Sequence, residues 1–155
     1  MTEAVAENVK DIKARSLYEQ DILLWVEDTV AKLKAGDFQN LDIINLIEEV
    51  ESLGLSQKKE LLSRLVTLLE HILKRIYVDI PNDYNGWERT IRNQRSELDQ
   101  LIETAPSLKS LWLSTFENAW RRALAKVREE YPSIDFPNKW TYSSDLNTVL
   151  TRKFW

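Results

Sequence analysis

From Ser56 to Tyr77 the chain runs twenty-two residues without a glycine or a proline. Its apolar side chains recur there every three or four positions: Leu61, Leu62, Leu65, Leu68, Leu69, Ile72, Leu73 and Ile76. Only a helix gathers such a set on one side. A stripe this wide suits a helix with more than one neighbour, central in a bundle. Turn formers are scarce throughout, with three Gly and four Pro in 155 residues. An all-β fold needs many tight turns, so the expectation is an all-α fold.

The rest of the chain divides around that stripe. The spacing predicts a helix over Ser16 to Lys34, opened by a capping box of Ser16 and Glu19 and closed by Gly36. Its face is Tyr18, Ile22, Trp25, Val26, Thr29 and Leu33. Asp42 caps a second helix with Ile43, Leu46, Ile47, Val50 and Leu53 on one side, and Gly54 is expected to stop it. Ser56 opens the third. A turn over Pro81 to Gly86 precedes a fourth, with Trp87, Ile91, Gln94, Leu98, Leu101 and Ile102 in line. Pro106 separates it from a fifth, which carries Trp112, Phe116, Trp120, Leu124 and Val127.

Beyond Tyr131, Pro132 and Pro137 forbid a long helix. Counted from Tyr131 itself, that tail nevertheless holds six of the fifteen aromatic residues, too many for a disordered segment. The expected architecture is a helical bundle of about five main helices with the aromatic C-terminal segment wrapped on it, including a short helix near Ser143 to Leu150. Residues 1–15 read as a weakly ordered arm and 16–155 as a single helical domain.

Composition excludes several activities. There is no Cys, hence no disulfide framework, no Cys-ligated zinc and no thiol chemistry. Three isolated glycines cannot build a P-loop or a dinucleotide-binding turn. A single histidine, His71, cannot supply a two-His metal helix. The longest stretch free of charge is Ser110 to Phe116, far short of the ~20 apolar residues that span a bilayer. The N-terminus has no apolar core of a signal peptide. The expected location is cytoplasmic, without membrane, metal or cofactor.

Net charge is −4 but uneven. Nine acids and two bases lie between Glu19 and Glu51; thirteen bases and nine acids lie between Lys58 and Arg128. The two regions can attract each other within one fold, or the basic one can meet nucleic acid or an acidic partner. The acids interleaved in the basic half favour the first, so nucleic acid is not the expected partner.

A few polar residues are candidates for a site. Glu48 and Glu51 match the first half of the Glu-x-x-Glu plan with which helical nucleotide pyrophosphatases hold magnesium; the second half is missing. Glu51 falls inside the apolar arc beside Ile44 and Ile47, so its head reaches water from the core edge or is buried with a partner. Arg95, at the border of its own apolar face, is a bidentate partner for such a carboxylate. Arg64 and His71 are seven apart on one flank of a helix. That spacing resembles the Arg-x6-His pair of metal-independent helical ribonucleases of the HEPN superfamily, although Leu65 stands where a polar residue usually follows the Arg. The ordinary alternative is a structural border histidine. Glu51, His71, Arg95 and Trp87 are the candidate binding residues; Arg64 and His71 are the weak catalytic candidates.

The stretches SLYEQDILLW, NLIEEVESLG, SRLVTLLEHILKRIY, WERTIRNQRSEL and PSLKSLW, taken together over Ser16 to about Leu150, carry a family resemblance. The chain resembles the bacterial family known as domain of unknown function twenty-nine, abundant in cyanobacteria. It departs from that pattern at Lys139-Trp140, where a Cys-Pro pair is expected, which removes any thiol role there. The resemblance implies a helical, bacterial, intracellular protein and no activity. Function therefore reads as a non-enzymatic helical interaction protein, with a protein partner or self-association. The alternative is a small metal-independent hydrolase or ribonuclease using Arg64 and His71, or a hydrolase built on Glu51, His71 and Arg95.

Overall fold

The computed structural model describes residues 16–155. The arm expected over residues 1–15 lies outside them. Every regular element among the described residues is helical. The chain divides into two compact units, one ending at Leu53 and the other beginning at Gly54.

The first unit opens with α1 (Leu17–Gln20), capped by the Ser16 hydroxyl on the Glu19 amide. The helix expected to run on to Lys34 breaks at Asp21 and restarts as α2 (Ile22–Ala35). The reason is local. Asp21 takes an extended conformation, and its carboxylate accepts the amides of Leu23 and Leu24, a stronger use of an Asp than a helix interior offers. Gly36 closes α2 in the left-handed region at φ 71, where a Cβ would be strained.

Asp42 then starts α3 (Ile43–Tyr77), accepting the Leu46 amide on its carbonyl and the Asn45 amide on its side chain. At 35 residues α3 merges the second and third expected helices. Gly54 does not stop it, because a mid-helix Gly costs only about 1 kcal/mol and the residues on either side remain good helix formers. α3 crosses from one unit into the other without a break.

In the second unit α4 (Pro81–Thr104) begins at Pro81 rather than after Gly86. Pro81 occupies the first helical position, where its missing N–H is no loss, and Asp83 favours that positive end. A 3₁₀ segment (Pro106–Leu111) leads into α5 (Trp112–Glu130). The short α6 (Leu146–Thr151) lies where the sequence places it, with Asp145 capping the Thr148 amide.

The core of this unit is Leu61, Leu65, Leu68, Leu69, Ile72 and Leu73 of α3 with Ile91 and Leu98 of α4, Val127 of α5 and Val149 of α6, all fully buried. Each such side chain contributes about 1.5–3 kcal/mol of burial. Ala119 and Ala123, also buried, let α5 approach closely. The aromatic tail packs on this core through Trp140, which stands edge-on to Phe116, Trp120, Tyr142 and Phe154 at centroid distances of 5.6, 5.7, 5.3 and 5.1 Å. The indole N–H of Trp112 donates to the Ser144 carbonyl at 2.8 Å, a second tie for the same segment.

Candidate interaction surface

α1 and α2 contact the start of α3 through polar groups. The Trp25 indole donates to the Asp42 carboxylate at 3.2 Å, and the Tyr18 hydroxyl donates to Glu49 at 2.6 Å. Tyr18 and Trp25 also stack edge-on at 5.1 Å. Glu49 pushes the Tyr18 pKa up to about 12, since the carboxylate favours the protonated phenol. The Asn45 side-chain amide, 2.7 Å away, leads in holding the Asp42 pKa below the ordinary carboxylate range. On α2 only Trp25 and Thr29 are buried.

The apolar sides of the same helices point outward. On the 3.6-residue wheel Ile43, Ile44, Ile47 and Val50 share the side of α3 opposite Asp42, Asn45 and Glu49. Ile44 is 80% exposed, Val50 62% and Leu53 65%. Ile22, Val26, Val30 and Leu33 form a comparable exposed arc on α2. Among the described residues, fourteen of the sixteen large hydrophobic side chains that are exposed lie between Leu17 and Leu55. Scattered apolar residues on a surface are ordinary; this concentration on one helical hairpin is not.

Glu51 sits within that outward face, exposed between Ile44 and Ile47, and makes no hydrogen bond or ion pair among the described residues. The other candidates have separate surroundings. The Arg95 guanidinium donates to the carbonyls of Val149 at 3.1 Å and Arg152 at 2.5 Å, satisfying the free end of α6. Burial lowers its pKa from the usual arginine value. The His71 ring uses Nδ1 on the carbonyl of Thr67, one turn back, at 2.8 Å. No hydrogen bond joins His71 to Arg95. Trp87 is a core residue, 8% exposed, in tilted contact with Tyr84.

Arg64 is held by acids and an amide: Glu60 at 2.8 Å, Gln94 at 3.3 Å and Glu97 at 3.3 Å. The groove beside it is walled by Ser56, Lys59, Ser63, Thr67 and Gln94, and His71 is not in its lining. No cluster of three or more His, Asp or Glu suited to a metal ion occurs among the described residues. None of their helices is long and apolar enough to cross a membrane.

The geometry therefore offers one unusual feature, an outward apolar hairpin face between Leu17 and Leu55. A family model described as "Domain of unknown function DUF29" matches residues 17–155. The chain belongs to DUF29. The match takes in the hairpin as well as the second unit, and the family's description assigns no activity. No curated protein and no solved structure matches the chain.

Sequence reasoning placed the apolar residues of the hairpin in the core and did not mark them as a surface. A signal was available. Two short helices carry more apolar side chains than they can cover on each other, and Tyr18, Asp42 and Glu49 supply a polar inner seam.

Proposed function

We propose that this DUF29 protein is a non-enzymatic, intracellular helical interaction module that holds a protein partner against the apolar face of its N-terminal hairpin. The observation that carries this is the orientation of the hairpin, polar seam inward and Ile44, Ile47 and Val50 outward. A two-helix layer stabilises itself by burying its apolar side against another layer. The large aliphatic patch supplies the driving force, and Glu51 inside it selects against a wholly apolar surface.

The hydrolase alternative has less behind it. Arg64 spends its guanidinium on Glu60, Gln94 and Glu97, and His71 its Nδ1 on a helix carbonyl. General acid–base work needs these groups turned toward a common reacting atom.

The test compares wild type with the Ile47→Asp/Val50→Asp double variant as bait in extract of the native cell. Both side chains are exposed, so the variant is expected to keep its helicity and thermal midpoint while losing the proteins that wild type retains. Equal retention by both forms, or unfolding of the variant, overturns the proposal. RNA cleavage abolished by both Arg64→Ala and His71→Ala would replace it with the hydrolase.

A further inference from the structure

A second surface in the other unit complements the hairpin. Between α3 and α5 runs an open groove of about 790 Å³. Its floor is apolar, made by Leu62, Val66 and Ala125, and its rim is basic, made by Lys59, Arg122 and Lys126. These three cations are exposed. Lys59 and Lys126 make no hydrogen bond or ion pair with any described residue, and Arg122 only reaches the Asn118 side chain on its own helix at 3.2 Å. Three bases of the same unit are taken by acids, Lys74 by Glu70 and Glu130, Arg75 by Glu88, Arg64 by Glu60 and Glu97. Lys58, Arg89, Arg92, Lys109 and Arg121 form no ion pair with a described residue, and what sets the groove cations apart from these is the apolar floor between them. An apolar trough between unspent cations calls for an apolar helix edged with carboxylates.

The hairpin has that chemistry. Its outward residues Ile43, Ile44, Ile47 and Val50 are aliphatic, and Glu27 and Glu51 are exposed acids without a partner among the described residues. Two hairpins facing each other would set acid against acid, since nine acids and two bases lie between Glu19 and Glu51. A hairpin against the groove sets acid against base.

We infer that this protein associates head to tail with a second copy of itself, the apolar, Glu51-bearing hairpin face of one copy seating in the Lys59–Arg122–Lys126 groove of the next. The inference rests on the hairpin being a docking surface and names its occupant. Because the two surfaces differ, the contact is heterologous, and each copy keeps one free surface of each kind. Association therefore extends into rings or open chains. The aliphatic contact supplies the affinity; the charges, being exposed, set the register and weaken with salt.

The experiment is sedimentation of the full chain over a range of concentrations at low and high salt. Two variants accompany wild type: Ile47→Asp/Val50→Asp in the hairpin and Lys59→Glu/Lys126→Glu in the groove. Wild type is expected to grow in mass with concentration, less so in high salt. Each variant alone is expected to associate at least about tenfold more weakly, a loss of about 1.4 kcal/mol. An equimolar mixture of the two variants should recover a species of two chains and no larger, because one intact hairpin meets one intact groove. That recovery also shows that both variants are folded.

A groove variant that associates as well as wild type would overturn the inference in favour of hairpin-to-hairpin pairing. Wild type that stays monomeric at every concentration, or a mixture that recovers nothing, overturns it too. In the monomeric case the extract comparison still judges the hairpin itself. Partners lost with Ile47→Asp/Val50→Asp would leave the interaction module standing with a different occupant, and partners kept would remove both.

Discussion

Single residues in this protein show how a local hydrogen bond outweighs a charge's preference for water. Lys74 is 7% exposed, and burial pulls its pKa down, yet ion pairs to Glu130 at 2.7 Å and Glu70 at 3.1 Å leave it raised. Asp145 illustrates the acidic case. Its carboxylate accepts the Ser143 hydroxyl and, at 3.0 Å, the Thr148 amide, and these bonds lower its pKa to about 2. A depressed folded value means that the unfolded chain binds the proton more readily. The contribution of Asp145 is thus whole above the unfolded value of 3.8 and is lost as pH falls through about 2. In thermal melts followed by tryptophan fluorescence between pH 5 and pH 2, Asp145→Ala should melt below wild type at pH 5, with the difference shrinking at the acid end. A difference that is constant with pH would show that the cap does not act through its charge.

Among the elements, α3 departs furthest from its expected form. Gly54 reads as a stop in the sequence, yet it lies inside a continuous helix, and its φ is not in the left-handed region that Gly36 occupies. A Cβ built at Gly54 meets nothing within 4 Å. Alanine there removes unfolded-chain freedom without a clash, so Gly54→Ala should stabilise the protein by about 0.5–1 kcal/mol in urea unfolding and add helical signal. Destabilisation instead would mean that α3 bends at this position in solution. Capping explains both remaining differences of boundary. Asp21 interrupts the first expected helix by capping a new one, and Pro81 opens α4 earlier than a Pro-to-Gly turn would. The same residues that signal a turn in a sequence serve equally as helix starts, and the distinction depends on what the flanking segments pack against.

On the scale of the whole molecule the two units are unequally supported. The second holds the Leu61–Leu73 stripe, α4, α5 and the aromatic tail; among the described residues of the first, only Trp25 and Thr29 are buried. Local stability follows buried contact, so hydrogen exchange in dilute solution should show amides of Ile22–Ala35 protected at least about tenfold less than those of α5. Uniform protection would place the hairpin in the same cooperative core. Helical class, the positions of most helices, the Gly36 stop, the α6 segment and the packed aromatic tail were all legible in the sequence, because periodicity, caps and aromatic content are local signals. Family membership was legible too, from five stretches spread over the chain. The candidate site was not. Periodicity marks which residues share a face, and it gives Ile44, Ile47 and Val50 the same signature as Leu65, Leu69 and Ile72. Whether a face turns inward depends on what lies opposite it, and here Tyr18–Glu49 and Trp25–Asp42 turn the polar side of the hairpin inward. Likewise Arg95 at an apolar border reads as a partner for a carboxylate, and only the folded chain brings it the carbonyls of Val149 and Arg152, more than fifty residues away. Faces are properties of a helix and are written in its sequence; the choice of which face is buried is made by contacts between segments distant along the chain.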